Sequence, residues 1–185
     1  MRKLIYSINI TLDGCCDHTK GMAGEDVHAY FADLLRQVDV FVYGRKTYDL
    51  MVPFWPDVAK NHTGPADSMS EFAQAFVSVK KIVVFSRTLE KVADPKTTII
   101  NTGLREAIRK LKEEEGGDML LGGVDLASQL MELDLIDEYR FMVQPLIVGE
   151  GRRLFEDISL PEKLQLKLAE SKTLKSGSIA LHYVR

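Results

Sequence analysis

The stretch VDVFVYGRKT, residues 38–47, decides the fold class of this chain. An apolar run interrupted only by Asp39 is followed at once by a glycine and two cations. The same order recurs twice, because IVVF at 82–85 precedes SRT at 86–88, and MLL at 119–121 precedes GG at 122–123. Continuous rather than alternating apolar residues are typical of parallel strands that are covered on both faces. The sequence therefore predicts a buried, mostly parallel sheet flanked by helices.

The residues that follow these three strands are suited to binding phosphate. Ligands of open α/β sheets bind just beyond the carboxyl ends of the strands, so all three segments are expected at one edge. Residues 44–47 open a helix, whose N-terminal dipole favours an anion. Arg45, Lys46 and Arg87 add positive charge. Gly122-Gly123 lets the backbone approach a pyrophosphate with no Cβ in the way. Together they predict a site for a dinucleotide that carries an extra phosphate.

The order of these motifs also carries a family resemblance. GRKTYD (44–49), VVFSRT (83–88) and LLGGVDL (120–126), after a first strand that ends in Leu12-Asp13-Gly14, resemble the dihydrofolate reductase-like fold. The tail from Asp137 through QPLIVGEG (144–151) is similar to one branch of it. That branch is the reductase domain of the bifunctional riboflavin-biosynthesis deaminase–reductase and its stand-alone relatives. The resemblance covers essentially all 185 residues. It implies one three-layer α/β domain, 1–185, with a mixed, mostly parallel eight-stranded sheet and a C-terminal antiparallel hairpin.

The resemblance also implies a cofactor, NADPH, and the residues that bind it. The positions of Ser86 and Arg87 bind the 2′-phosphate of NADP in this family. Gly122, Gly123 and the backbone of Val124–Leu126 are assigned to the pyrophosphate. A standard Rossmann site is not supported, because the G-x-G-x-x-G fingerprint is not met. The predicted cofactor site comprises Gly44, Arg45, Lys46, Thr47, Ser86, Arg87, Gly122, Gly123, Val124, Asp125 and Leu126.

The substrate side is expected around the end of the first strand. Asp13 is one candidate catalytic residue. The resemblance implies this, because Asp13-Gly14 leads into Cys15–Gly24, a loop that covers the nicotinamide in this fold. The alternative is that Asp13 and Gly14 only form a tight turn. His28 is the second candidate, and the alternative is a half-buried structural histidine. It stands where classical dihydrofolate reductases carry the acidic residue that binds pterin. Lys80 stands near the position of their folate-clamping arginine, so both departures argue against dihydrofolate as substrate.

Three further side chains have a functional and a structural alternative each. Arg152 and Arg153 either reach a substrate phosphate or are solvated. Trp55 is predicted to pack rather than to stack on a ligand.

The function that these residues and the resemblance predict is an NADPH-dependent reductase of a pyrimidine- or pterin-like heterocycle. The leading named candidate substrate is 5-amino-6-(5-phosphoribosylamino)uracil, an intermediate of riboflavin synthesis. The zinc deaminase that often accompanies this reductase has the pattern H-x-E with a partnering P-C-x-x-C, which does not occur here. A role in riboflavin synthesis would therefore require a separate deaminase, and a reductase of another substrate is the alternative. Dihydrofolate reductase and a non-catalytic NADP-binding module stay open as alternatives.

Composition limits the partners. A net charge of −3, from 24 basic and 27 acidic residues, gives no global field that would attract nucleic acid or a membrane surface. No apolar stretch approaches the roughly 20 residues needed to span a bilayer. The only cysteines, Cys15 and Cys16, are adjacent and form no disulfide framework, so the cytoplasm is the expected compartment. The histidines lack metal-ligand spacing, and no metal is expected. The oligomeric state is left open, with a homodimer as one option.

Local patterns predict where the elements begin and end. The main expectations are a first strand Leu4–Leu12, a helix Glu25–Val38, a short helix from Lys46 that ends before Pro53, a loop Pro53–Pro65, a capping box at Ser68–Glu71, a helix Leu104–Glu115, a strand Tyr139–Ile147, and a hairpin of Leu164–Thr173 with Ser178–Val184.

Overall fold

A computed structural model describes residues 1–22, 24–62, 64–156, 158–160 and 162–185. Within these ranges strands and helices alternate along most of the chain. In chain order they are β1 Leu4–Thr11, α1 Glu25–Leu35, β2 Val38–Gly44, α2 Arg45–Asn61, α3 Ser68–Val77, β3 Lys81–Phe85, β4 Thr97–Ile100, α4 Leu104–Glu113, β5 Asp118–Gly122, α5 Asp125–Glu132, β6 Glu138–Gln144, β7 Lys167–Thr173 and β8 Ile179–Val184.

The strands form one eight-stranded sheet in the order β4-β3-β2-β5-β1-β6-β8-β7. Neighbours from β4 to β6 are parallel, whereas β8 runs antiparallel to both β6 and β7. The mixed sheet and its C-terminal antiparallel hairpin confirm the predicted fold class. Because β1, β2, β3 and β5 are parallel, their carboxyl ends reach the same edge of the sheet, which we call the carboxyl edge.

Alternating residues of the central strands build a core on each side of the sheet. Val40 and Val42 of β2 lie in the cluster with α4 and α5, whereas Phe41 and Tyr43 lie in the cluster with α1, α2 and α3. Both sets are almost wholly buried. Because both faces of β2 are covered, the strand has the continuous apolar sequence from which it was predicted.

Helix α2 contradicts the prediction that a helix ends before Pro53. It continues through Pro53 and Pro56 to Asn61, so the predicted loop 53–65 is largely helical; Thr63 lies outside the described residues. Pro53 removes one backbone hydrogen bond, the one to the carbonyl of Asp49. Both residues are exposed, so water can satisfy that carbonyl. Burial of Tyr48 and Val52 on the opposite side holds the helix together.

The start of α3 differs from the prediction by one residue. The N-cap is Asp67, not Ser68, and its carboxylate accepts a hydrogen bond from the Ser70 amide at 2.7 Å. The Ser70 hydroxyl reciprocates by accepting from the Asp67 amide at 3.0 Å, so Ser70 rather than Glu71 completes the capping box. A carboxylate is a strong N-cap acceptor, and Asp67 therefore displaces the serine that follows it.

Several other boundaries are shorter than predicted. Strand β6 ends at Gln144 rather than Ile147, because Pro145 has no N–H to donate to the ladder. Strand β7 begins at Lys167 rather than Leu164, α1 ends at Leu35, and α4 ends at Glu113. In the part of the chain that the structure describes, no helix is both long enough and apolar enough to cross a membrane.

Candidate active site

The sheet register brings the three predicted signatures together. Gly44 at the end of β2 pairs with Phe85, the last residue of β3. On its other side, Tyr43 pairs with Gly122, the last residue of β5. The segments that begin at Gly44, Ser86 and Gly122 therefore follow three adjacent parallel strands. They form one continuous stretch of the carboxyl edge, as the sequence predicted.

The first turn of α2 is electrostatically unusual. Its N-cap is Gly44, which offers no side-chain hydrogen bond, and no acidic residue lies in the first turn. Two cations, Arg45 and Lys46, occupy that turn instead. Cations at the positive end of a helix dipole are unfavourable unless an anion compensates them. The uncapped amides and the two cations therefore suit a phosphate group.

The turn between β5 and α5 packs directly against α2. Gly123 has a φ of +90°, a backbone conformation that residues with a Cβ rarely adopt. A Cβ added there would lie well inside 3.0 Å of Thr47 Oγ1. A Cβ on Gly122 would lie 2.9 Å from the ring of Tyr43. Both glycines are thus required by the protein's own packing, in addition to any role toward a ligand. A Cβ on Gly44 would lie 3.7 Å from the Leu126 side chain, which is an ordinary van der Waals contact, so packing does not require a glycine there.

Ser86 and Arg87 have different environments. Ser86 is buried, and its hydroxyl accepts hydrogen bonds from the amides of Thr88 and Leu89 at 3.3 and 3.0 Å. It therefore stabilises the turn after β3. Arg87 is exposed, and among the described residues its guanidinium has no hydrogen-bond or ion-pair partner. Arg45 reaches the same turn by donating to Thr88 Oγ1 at 2.9 Å. The turn thus presents an unpaired cation beside α2.

The first residue of α5, Asp125, gathers two cations. Arg152 Nη2 lies 2.6 Å from Asp125 Oδ1, and Lys46 Nζ lies 3.6 Å from its Oδ2. The hydrogen bond from Arg152 is the main cause that holds the pKa of Asp125 below its usual range. Sequence reasoning placed Asp125 near the cofactor but missed its pairing with Arg152, since 27 residues separate them and no local pattern links them. The N-cap of α5 is Val124, and Leu126 is buried in the core.

Asp13 is held by a set of hydrogen bonds at the end of β1. Its carboxylate accepts from Thr11 Oγ1 at 2.5 Å and from the amides of Val148 and Gly149 at 3.3 and 2.9 Å. Arg153 Nη1 lies 3.4 Å away. These donors, with Thr11 first, hold the pKa of Asp13 well below its usual range. Asp13 is therefore ionised at neutral pH and ties the loop after β6 to the end of β1; a catalytic role for it stays a prediction.

The two loops that follow β1 and β6 are joined at several points. We call residues 12–22 the β1 loop and residues 145–156 the β6 loop. The Cys16 amide donates to the Arg152 carbonyl at 2.9 Å, and the Leu154 amide donates to the Gly14 carbonyl at 2.8 Å. Gln144, which is almost fully buried, exchanges two hydrogen bonds with the backbone of Met22, at 2.6 and 2.8 Å. Gln144 is not among the predicted site residues, although a glutamine that closes a strand directly before Pro145 was a usable signal in the sequence.

His28 lies in an aromatic cluster rather than beside a charge. Its ring centroid is 5.9 Å from both Trp55 and Phe72, so Trp55 packs as predicted. Burial lowers the pKa of His28, and the nearby Asp67 only partly opposes this. The imidazole is therefore neutral at pH 7. A catalytic role for His28 stays a prediction. Lys80 is bound to Asp39 at 2.9 Å, at the opposite end of the sheet from Gly44.

The geometry defines an α/β protein of the dihydrofolate reductase-like class whose carboxyl edge suits a phosphate-bearing ligand. A family model, the RibD C-terminal domain, matches residues 2–180. A Bacillus subtilis protein, YyaP, is 33% identical over 98% of this chain and 94% of its own length. The chain therefore belongs to the RibD C-terminal domain family.

Two solved structures share the fold. One is a protein from Shewanella sp. PV-4 attributed to riboflavin biosynthesis, with a TM-score of 0.74 and 22% identity over 99% of this chain and 98% of that one. The other is the diaminohydroxyphosphoribosylaminopyrimidine deaminase/5-amino-6-(5-phosphoribosylamino)uracil reductase of Thermotoga maritima, with a TM-score of 0.67 and 15% identity. This chain is covered to 99% by that match but spans only 56% of the Thermotoga protein.

Proposed function

We propose that this protein is an NADPH-dependent reductase that transfers a hydride to a pyrimidine- or pterin-like heterocycle. Its family supports a riboflavin-type reductase function. The single observation that carries the cofactor assignment is the basic, uncapped first turn of α2 beside the unpaired Arg87. A dinucleotide with an extra phosphate would supply an anion for the uncapped amides and for Arg87, whereas Arg45 and Lys46 already lie beside Asp49 and Asp125.

The donor groups present fit this cofactor. The first-turn amides of α2 and the side chains of Arg45 and Lys46 would hold phosphate oxygens, and Arg87 would bind the 2′-phosphate. The tight turn at Gly122-Gly123 leaves no Cβ at the edge where the pyrophosphate would lie. NADPH supplies the hydride, so the chain's own work is to orient the reactants and exclude water. The joined β1 and β6 loops are the elements that would cover the reacting ring.

The substrate assignment follows the family. The candidate is 5-amino-6-(5-phosphoribosylamino)uracil, since the reductase of Thermotoga maritima bears that activity in its name. Dihydrofolate is disfavoured, because neutral His28 gives no carboxylate to bind the aminopyrimidine edge of a pterin. Steady-state assays with NADPH and each compound compare the two. Dihydrofolate turnover in the range of about 1–1000 per second would show that the protein is a dihydrofolate reductase instead. NADPH binding without turnover of any pyrimidine or pterin would favour the non-catalytic module.

The cofactor assignment is tested by Arg87→Ala. A hydrogen bond to a charged group contributes about 1.5–3 kcal/mol, which corresponds to about tenfold to a hundredfold in affinity. We expect calorimetry to show this loss for NADPH and little change for NADH. Arg109→Ala is the matched control, because Arg109 is an exposed arginine on α4. Equal affinity of the wild type for NADPH and NADH, or unchanged NADPH binding by Arg87→Ala, would refute the assignment.

A further inference from the structure

The turn that carries Arg87 is held at both of its ends by one side chain. We call residues 86–89 the β3 turn, because they directly follow the last residue of β3. The side-chain amide nitrogen of Asn101 donates to the Ser86 carbonyl at 2.8 Å and to the Leu89 carbonyl at 3.3 Å. These carbonyls belong to the first and the last residue of the β3 turn. Asn101 therefore ties the two ends together with the two N–H donors of a single NH2 group.

The sheet register brings Asn101 to this turn. Phe85 and Ile100, the last residues of β3 and β4, are paired in the parallel ladder. The Ser86 amide continues the ladder by donating to the Ile100 carbonyl at 3.1 Å. Asn101 is the next residue after β4, so it lies at the carboxyl edge directly beside the start of the β3 turn. Its two carbonyl partners are 15 and 12 residues away in the chain, and only the pairing of the strands makes them neighbours.

Two further contacts restrain the same turn. The Ser86 hydroxyl accepts hydrogen bonds from two amides inside it, and Arg45 Nη1 donates to Thr88 Oγ1 at 2.9 Å from the first residue of α2. Strands β4 and β2 flank β3 in the sheet, so Asn101 and Arg45 reach the β3 turn from the two neighbouring strand ends. None of these bonds involves Arg87. The backbone on each side of Arg87 is therefore fixed, while its guanidinium remains available to a ligand.

A fixed turn matters for a guanidinium that binds a phosphate. The planar fork of an arginine binds phosphate oxygens in a defined geometry, so its affinity depends on where the backbone presents it. A turn that had to become ordered on binding would lose part of the interaction free energy to that ordering. Contacts that order the β3 turn in advance therefore favour the phosphate that Arg87 binds, and they add nothing to the affinity for the rest of a dinucleotide.

We infer that Asn101 is a positioning residue for cofactor choice. It holds the β3 turn so that Arg87 meets the 2′-phosphate, the group that distinguishes NADPH from NADH. This inference rests on the proposed NADPH-dependent function and adds a residue that acts through Arg87 rather than by its own contact with the phosphate.

Calorimetric titration of Asn101→Ala with NADPH and with NADH is the first test. A neutral hydrogen bond corresponds to a factor of about 2–10 in affinity, so we expect Kd for NADPH to rise about threefold to tenfold and Kd for NADH to change less than about twofold. Asn61→Ala is the matched control, because the Asn61 amide donates to Asp57 Oδ1 at 2.7 Å within the last turns of α2. It should change neither value. An unchanged Kd for NADPH, or an equal loss for both cofactors, would overturn the inference.

A double variant separates positioning from direct contact. In Arg87→Ala no guanidinium remains to be positioned, so adding Asn101→Ala should leave Kd for NADPH within about twofold of that of Arg87→Ala alone. If each side chain bound the cofactor independently, the two losses would multiply in the double variant. That result would overturn the inference while leaving the proposed NADPH dependence intact.

Amide hydrogen exchange reports on the turn itself without any cofactor. Asn101→Ala should speed exchange at Thr88 and Leu89, whose amides donate to Ser86 Oγ inside the turn, while exchange within β3 stays as in the wild type. Unchanged exchange at both amides would overturn the inference, and so would faster exchange throughout β3, which would show a general loss of stability. Failure of the wild type to bind NADPH would instead refute the proposed function, and the inference with it.

Discussion

The contact between Gly123 and Thr47 yields a quantitative prediction for Gly123→Ala. Alanine at a φ of +90° costs about 1–2 kcal/mol because its Cβ crowds the backbone. The same Cβ would fall well inside 3.0 Å of Thr47 Oγ1, and such overpacking costs a further 1–3 kcal/mol, roughly. We therefore expect the free energy of unfolding to fall by about 2–5 kcal/mol. Urea denaturation followed by the fluorescence of Trp55, the only tryptophan, measures this change.

A control variant and a double variant separate the two costs. Gly14 has a similar φ of +79°, but a Cβ there meets nothing within 4 Å, so Gly14→Ala should lose only about 1–2 kcal/mol. Removing the hydroxyl in Thr47→Ala should restore about 1–3 kcal/mol to Gly123→Ala in a double-mutant cycle. If Gly123→Ala is no less stable than Gly14→Ala, or if Thr47→Ala recovers nothing, the assignment of steric crowding is wrong.

Two further outcomes follow from the carboxylate and the imidazole proposed as catalytic. Asp13→Asn should speed amide hydrogen exchange at Val148 and Gly149, because both amides donate to the ionised carboxylate. Exchange within β1 should stay unchanged. Equal exchange rates at the two amides in the variant and the wild type would contradict the role of Asp13 in tethering the loop. His28 has a lowered pKa in the folded state, so the unfolded chain binds its proton first as pH falls through the normal histidine range, and stability drops below about pH 6.5. His28→Phe should lose less unfolding free energy between pH 7.5 and 5.5 than the wild type in urea titrations, and an identical loss would show that another group titrates.

The sequence by itself determined the architecture and brought the residues of the candidate site to one edge of the sheet. Continuous apolar runs such as Val38–Tyr43 specify strands covered on both faces, and parallel strands must end at one edge. The glycines and cations after those runs therefore lie together without any knowledge of distant contacts. The local sequence alone shows that the first turn of α2 is suited to a phosphate, because Gly44, Arg45 and Lys46 are adjacent in the chain.

Only the tertiary structure decided what these groups contact. Helix α2 continues through Pro53 and Pro56 because burial of Tyr48 and Val52 outweighs two missing hydrogen bonds, and burial is not a local property. Asp125 meets Arg152, and Asp13 meets Gly149, across separations of 27 and 136 residues. Contacts between such distant residues depend on how the loops pack at the end of the sheet. The sequence could therefore place the cations at the edge of the sheet, but it could not show that Arg87 has no partner there while Arg152 and Arg153 are already neutralised.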